Sequence, residues 1–286
     1  MPLRALVVAV AMLLFAASPA FALSKTETKT VGQVTASLSY DYQQTRYGTA
    51  NFTNVRVTVD RAAQRLLDQT LGGECEGCTG WPAGAGQSDS IKVRDLDGDG
   101  EPEVLVDLYT GGAHCCFYTD TWRFDPASGQ YVFAVANPSI SFPYTLRDLN
   151  GDGKPEFKTI DYRFSYEFGS YVDTPPPLAI YDWNAGNLVN VTHSYPKLAA
   201  RDAATYYRLY LSLRRNKDDN LRGVLAAYLA DSYNAGNGRD AWRRVVAAYR
   251  RGELDKRVKF DVGPFGKRYL KSVRVFLKKL GYLRRS

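Results

Sequence analysis

Residues 95–103 read DLDGDGEPE, and residues 148–156 read DLNGDGKPE. The two stretches share one pattern of acidic residues and glycines, and they begin 53 positions apart. A recurrence at this distance is typical of a repeating β unit. In both copies a short strand pattern precedes the nine residues, and a longer one follows them at 104–109 and at 157–162. Each copy is therefore predicted to join two antiparallel strands.

The sequence after each copy predicts two more strands joined by a tight turn. The third strands are expected at 118–124 and 178–183, and the fourth strands at 131–136 and 188–192. Gly129 and Gly186 lie in the two turns, where glycine is typical. Each repeat is thus predicted to form a four-stranded meander of the kind seen in propeller blades. A partial third unit is expected around 35–70.

The acidic positions of the repeated pattern predict a site for a hard divalent cation, which takes six to eight oxygens at short range. In a tight loop the side chains at positions 1, 3 and 5 converge, and glycine at position 6 takes the sharp turn. The carbonyl of position 7 and the carboxylate at position 9 complete the shell. An EF-hand would place a bidentate glutamate at position 12, where this sequence has Val106 and Thr159. The repeats are therefore not an EF-hand pair.

The two loops with their flanking strands, over roughly residues 90–192, resemble the calcium loops of FG-GAP and VCBS repeats, the blade units of integrin-α-type β-propellers. The resemblance implies two structural Ca²⁺ ions in a secreted β protein. The ligands that it implies are Asp95, Asp97, Asp99, the Glu101 carbonyl and Glu103 in the first copy, and Asp148, Asn150, Asp152, the Lys154 carbonyl and Glu156 in the second. The sequence departs from this family at position 9, where glutamate replaces the usual aspartate, and in offering fewer than the four blades of a closed propeller.

The balance of charge changes sign near residue 195. Residues 25–195 carry 13 Lys and Arg against 22 Asp and Glu, whereas residues 196–286 carry 23 against 8. The type of apolar spacing changes at the same place, from period two to helical. We therefore predict two regions, a calcium-binding β domain at 25–195 and a basic α-helical segment at 196–286.

In the C-terminal segment, apolar residues recur at helical spacing around Leu221, Trp242 and Leu270. Gly236 and Gly281 are expected to end two of these helices. The predicted fold class is therefore mainly β, with two to three four-stranded, blade-like antiparallel units followed by a C-terminal α-helical segment. An open, propeller-like stack or a sandwich fits this number of units better than a closed ring does.

The N-terminus has the organisation of a secretory signal peptide, assigned to residues 1–22. Arg4 precedes an apolar run at 5–17, and Ala20-Phe21-Ala22 provides a small-x-small cleavage site. The run is shorter than the ~20 residues that a membrane-spanning helix needs, although an uncleaved anchor is the alternative. The mature protein is expected to be secreted, extracellular or in the cell envelope, and not transmembrane.

The four cysteines form two clusters, Cys75 with Cys78 and Cys115 with Cys116. Outside the cytoplasm disulfides are the default, and at least one bond between the clusters is favoured over pairing within each cluster. The alternative is a zinc or copper site in which His114 joins the four thiolates. Export favours the disulfides, because it favours oxidation over thiolate ligation.

The basic helical segment predicts an electrostatic surface. Adjacent cations such as Arg243-Arg244 and Lys278-Lys279 recur along it. A surface of this kind suits an anionic partner such as a cell-wall polymer, a polysaccharide or a lipid surface. Solvated helix faces that dock on the acidic β domain are the alternative. Nucleic acid is not an expected partner, because an exported protein would seldom meet it.

Three common motifs of catalytic and phosphate-binding sites do not occur in the sequence. The chain has two histidines in all, and it contains no Gly-x-Ser-x-Gly, no His-Glu-x-x-His and no phosphate-binding glycine loop. The favoured function is thus a secreted, calcium-stabilised binding or surface-associated module with no evident catalytic site. The alternative is a secreted hydrolase that cuts polysaccharide with a pair of carboxylates between blades. A pocket with two carboxylates that do not bind calcium would favour the hydrolase.

Overall fold

The computed structural model describes residues 22–44, 50–72, 80–84, 89–112, 117–137, 143–184, 186–218, 220–255 and 264–283. Within these ranges the chain forms three antiparallel sheets followed by four α-helices. The prediction of a mainly β fold with two to three four-stranded units and a C-terminal helical segment is confirmed.

The first sheet is a complete four-stranded meander. Its strands, which are neighbours in chain order, are β1 Leu23–Val31, β2 Val34–Gln44, β3 Ala50–Arg61 and β4 Gln64–Thr70. Along β2 the side chains of Val34, Ala36 and Leu38 are buried, while the residues between them are partly exposed. One face of this sheet therefore packs on the rest of the protein. The sequence predicted only a partial unit here.

The second and third sheets are the two predicted repeats. The second contains β5 Trp81–Pro82, β6 Ile91–Arg94, β7 Glu103–Tyr109, β8 Phe117–Asp125 and β9 Gln130–Asn137. The third contains β10 Thr145–Arg147, β11 Glu156–Ile160, β12 Leu178–Asn184 and β13 Asn187–Asn190. Every strand predicted in the two repeats is present, with ends that shift by a few residues. The largest difference is at 192–194, where a 3₁₀ turn replaces the predicted end of the fourth strand.

The three sheets stack in a row. Val104 and Val106 of β7 pack into an apolar cluster with the first sheet. Leu105, on the opposite face of β7, packs with Phe157 and Trp183 of the third sheet. Because β7 is buried on both faces, its residues form an almost continuous apolar run.

The helices are α1 Pro196–Arg215, α2 Leu221–Asn234, α3 Gly238–Arg250 and α4 Gly266–Lys279. All side chains from Leu221 to Ser232 are buried, so α2 is the centre of the helical cluster. The sequence indicated one apolar face for α2, and it did not reveal α1. Both predicted helix ends are confirmed, because Gly236 and Gly281 follow their helices with φ of +81° and +84°.

The helices cover the outer face of the third sheet. Leu178 and Ile180 of β12 pack against Ala199 of α1. The carboxylate of Asp231 on α2 accepts a hydrogen bond from the Leu178 backbone N–H at 3.1 Å. Since helices end the row of sheets, the described residues do not form the closed or open ring of a propeller. Stacked sheets covered by helices at one end are the observed arrangement.

Asp231 provides a pH-dependent test of this helix–sheet contact. It is fully buried, and burial raises its pKa well above the ordinary value, with the nearby charges of Asp202 and Asp161 adding to the effect. Because the pKa of Asp231 is raised in the folded state, its protonated carboxyl contributes to the stability of the fold. This contribution is complete below the unfolded pKa of about 3.9 and is lost as pH rises through the folded pKa. We therefore expect Asp231→Asn to gain stability relative to the wild type as pH rises from 4 to 7.

Urea unfolding of both proteins at several pH values measures this difference. Asp240→Asn, at an exposed position of α3, is the matched control and should change little over the same range. Parallel stability curves for the wild type and Asp231→Asn would show that the buried carboxylate titrates normally.

Candidate metal centres

The first acidic loop, residues 95–103, joins β6 to β7. The Asp95 carboxylate accepts hydrogen bonds from the backbone N–H groups of Gly98 at 2.7 Å and Gly100 at 3.0 Å. These two glycines have φ of +78° and +88°, a region that residues with a Cβ rarely adopt. Glycine at positions 4 and 6 therefore allows the loop to curl around the carboxylate at position 1.

Three carboxylates converge in this loop. Oxygens of Asp95, Asp97 and Asp99 all lie within 4.8 Å of one another. Asp99 accepts a hydrogen bond from the Glu101 N–H at 2.7 Å, which orients it. Burial, together with the charges of Asp99 and Asp95, raises the pKa of Asp97. The loop thus concentrates negative charge at one point.

The second loop, residues 148–156, repeats the geometry of the first. Asp148 accepts hydrogen bonds from the N–H groups of Gly151 at 2.6 Å and Gly153 at 2.9 Å. Oxygens of Asp148, Asp152 and Glu156 lie within 4.8 Å of one another. Asn150, at position 3, donates from its side-chain amide to Asp152 at 3.0 Å. The two copies thus share a backbone conformation as well as a sequence pattern.

The glutamates at position 9 lie at the base of the loops, and each is 3% exposed. Glu103 accepts a hydrogen bond from the Leu96 N–H at 2.9 Å, and Glu156 accepts one from the Leu149 N–H at 2.6 Å. Burial raises the pKa of Glu103 to about 8. Tyr195 donates its hydroxyl to Glu156. The structure places Glu156 among the converging oxygens of its loop, whereas Glu103 is not in the corresponding group of three.

The side chains at position 7 point to other partners. Glu101 forms a two-pronged salt bridge with Arg61 of β3, with both N–O distances at 2.9 Å. The stem of Lys154 lies against the first loop, since a Cβ on Gly98 would come within 3.1 Å of the Lys154 Cε. Position 7 was predicted to contribute its backbone carbonyl, which leaves its side chain available for other contacts. Glu101 links the first loop to the first sheet, and Lys154 links the second loop to the first loop.

A cavity of about 460 Å³ lies between the two loops. Its acidic lining consists of Asp97 from the first loop, Asp152 and Glu156 from the second loop, and Asp182 from β12. Asp182 was not predicted from the sequence. It follows Tyr181 on β12, which pairs with Phe157 of β11, and this register brings it beside Glu156. Burial and the charges of Glu156 and Asp152 raise the pKa of Asp182.

The predicted cysteine sites are in parts of the chain that the structure does not describe. Cys75, Cys78, His114, Cys115 and Cys116 all lie outside the described residues, as does most of the predicted signal peptide at 1–22. The disulfides and the zinc or copper alternative both stay predictions. In the part of the chain that the structure describes, no helix has the length and apolar character needed to cross a membrane.

Comparisons with known proteins identify two similar sequences. Residues 200–281 match the family model described as "sll0997 C-terminal domain". The chain is 29% identical over 163 residues to a "Probable thylakoid lumen protein sll0997" from Synechocystis sp. strain PCC 6803, a match that covers 56% of this chain and 48% of that relative. It is 25% identical over 203 residues to "Uncharacterized protein y4bJ" from Sinorhizobium fredii, covering 68% of this chain and 30% of that protein. No solved structure matches the chain.

The matches cover only part of each relative and part of this chain. The chain spans about half the length of one curated relative and about a third of the other. The family model covers the helices and none of the acidic loops. The name of the Synechocystis relative places it in a thylakoid lumen, a compartment outside the cytoplasm. That location agrees with the predicted export of this chain.

The resemblance to FG-GAP and VCBS repeats is wrong. The comparisons match the chain to a different family model and find neither of those repeats. The structure gives the physical reason, because three meanders in a row with helices on the last sheet do not make a propeller. The acidic loop is a local way of joining two strands, and it does not by itself determine the architecture around it.

The contact between the loops gives a mutational test in calcium-free buffer. Gly98→Ala and Gly151→Ala both place a Cβ at positive φ, so each should lose about 1–2 kcal/mol of stability. Gly98→Ala should lose slightly more, because its Cβ would come within 3.1 Å of the exposed Lys154 side chain, which must shift, whereas Gly151 has open space around it. Lys154→Ala removes the side chain that the new Cβ would contact. In that background, Gly98→Ala should lose the same stability as Gly151→Ala. Equal losses at both glycines, with no coupling to residue 154, would disprove the contact.

Proposed function

We propose that this protein is a calcium-stabilised binding or surface-associated module that acts outside the cytoplasm. The observation that carries the proposal is the pair of loops with matching geometry, each of which brings three acidic oxygens within 4.8 Å of one another. Two such loops, at equivalent strand junctions of consecutive sheets, give the same chemistry twice. The name of the Synechocystis relative supports a location outside the cytoplasm.

The donor set fits Ca²⁺. Every predicted side-chain ligand in the two loops offers oxygen, from a carboxylate or from the amide of Asn150, and none offers nitrogen or sulfur. Hard cations take such oxygens, whereas zinc prefers thiolate and imidazole. Ca²⁺ also accepts irregular shells of six to eight ligands, which suits an exposed loop that keeps room for water. Bound Ca²⁺ would neutralise the clustered carboxylates and so hold β6 to β7 and β10 to β11.

The helical segment supplies the proposed contact with a partner. Residues 196–286 carry 23 Lys and Arg against 8 Asp and Glu, and many of these cations on α3 and α4 are exposed. A surface with this charge attracts anionic polymers, polysaccharides or lipid surfaces. Proteins outside the cytoplasm meet all three, whereas nucleic acid is not proposed as a partner.

The alternative function, hydrolysis of polysaccharide, has weaker support. Glycosidases need two carboxylates on either side of the bond that breaks. Of the four acids that line the cavity between the loops, Asp97, Asp152 and Glu156 belong to the predicted calcium ligands. Asp182 is then the one acid of this lining left for catalysis. A single carboxylate does not provide the pair that the reaction requires.

The two calcium sites should have unequal affinity, and titration calorimetry measures the difference. By sequence the first loop has four carboxylates and the second has three, with neutral Asn150 at position 3. Glu103 lies outside the converging group of the first loop, so the difference rests on Asp97 at position 3. Affinity in such loops rises with ligand charge. We therefore expect Asp97→Asn to weaken the tighter transition and Asn150→Asp to strengthen the weaker one. The difference in calcium affinity between the two loops should become smaller at high salt, because salt screens exposed charges.

Asp240→Asn, which removes an exposed carboxylate far from the loops in sequence, is the control and should leave both transitions unchanged. Loss of the tight transition on Asp152→Asn but not on Asp97→Asn would reverse the assignment of the two sites. Absence of any heat at millimolar calcium in the wild type would overturn the proposed function itself.

A further inference from the structure

The solvent face of α4 carries a continuous set of cations. Six exposed side chains occupy it, which are Lys267, Arg268, Lys271, Arg274, Lys278 and Lys279. At 3.6 residues per turn they lie within an arc of about 140° and extend over about 18 Å of the helix axis. The opposite face, with Tyr269, Val273 and Leu277, is buried in the helical core. The apolar side of α4 is therefore used by the fold, and the cationic side is presented outward.

These charges are not neutralised within the described part of the chain. The helix contains no Asp or Glu, and none of its six cations forms an ion pair with a described residue. By contrast, Arg243 of α3 is paired with Asp240, and Arg251 with Glu253. The face of α4 is thus a part of the helical surface where six neighbouring positive charges are left for an external partner.

The shape and the apolar content of this face favour an extended surface. Val275 lies among the cations and is 59% exposed. The described cavities near the helices, one lined by Arg163 and His193 and one by Tyr233 and Arg239, are lined by none of the six cations. A linear polyanion is held best in a groove, whereas a lipid headgroup layer accepts a broad, raised face with a short apolar side chain at its centre.

We propose that the exposed face of α4 docks on the surface of an anionic lipid bilayer, with Lys271 and Arg274 midway along the helix. This inference rests on the proposed function, since it specifies which anionic partner the basic helices bind. Arg274 is additionally held in place, because its guanidinium lies 5.9 Å from the ring centre of Trp242 on α3. The helix lies flat on the headgroups, and it does not enter the hydrocarbon core.

The test is cosedimentation of the full chain with vesicles in EDTA, so that calcium bridging is excluded. Vesicles of 30% phosphatidylglycerol in phosphatidylcholine should bind the protein, and vesicles of phosphatidylcholine alone should not. Each Lys or Arg near an anionic surface contributes about fivefold in affinity, so Lys271→Gln with Arg274→Gln should weaken binding about 30-fold. Raising the salt concentration should weaken wild-type binding steeply.

The matched control is Lys197→Gln with Arg201→Gln, which removes the same charge from two exposed positions at the start of α1. It should weaken binding less than threefold. A second variant, Val275→Ser, keeps every charge and should weaken binding by a few fold. Unchanged circular dichroism and thermal unfolding confirm that each variant is folded.

Three results would overturn the inference. These are no binding to anionic vesicles, equal losses in the α4 variant and the α1 control, and tight binding to soluble dextran sulfate with none to vesicles. The last result would assign the face to a linear polyanion. Because EDTA is present throughout, failure of the calcium sites leaves this result unaffected, and vesicle binding does not depend on the calcium proposal.

Discussion

Two strands that are buried on both faces determine how the layers of this protein are arranged. In β7, Val106 faces the first sheet and Leu105 faces the third. In β12, Ala179 faces the second sheet and Ile180 faces the helices. A strand that is apolar on both sides needs a covering layer on each side. The first sheet and the helical cluster are the two layers that meet this requirement at the ends of the row.

This arrangement gives each acidic loop a rigid base and an exposed rim. The last residues of the loops, Glu103 and Glu156, are also the first residues of β7 and β11. Their carboxylates are buried and hold the second residue of the loop through its backbone N–H. Binding groups on loops that a rigid scaffold supports are a general way to place function on a fold. A cation from solvent can thus reach oxygens that the sheets already hold close together.

Sequence reasoning succeeded where the signal is local. The nine-residue pattern, its glycines and the alternating strands around it can each be recognised from neighbouring residues alone. The structure contains all three features. Asp182 was missed because its proximity to Glu156 depends on the register between β11 and β12. The all-round burial of α2 was missed because it depends on three other helices that surround it. The family was wrongly inferred because the loop motif is local, whereas the stacking of sheets is not.

The central claim is that calcium binds the folded loops and stabilises them, and thermal unfolding tests it most directly. A ligand at 100 times its Kd adds roughly 2.7 kcal/mol per site to the stability of the folded state. The account predicts that millimolar calcium raises the melting temperature of the wild type, and that EDTA reverses the increase. The double variant Asp95→Asn with Asp148→Asn should melt at the same temperature with and without calcium. An unchanged melting curve for wild-type protein, first shown to be loaded with calcium and then treated with EDTA, would contradict the account.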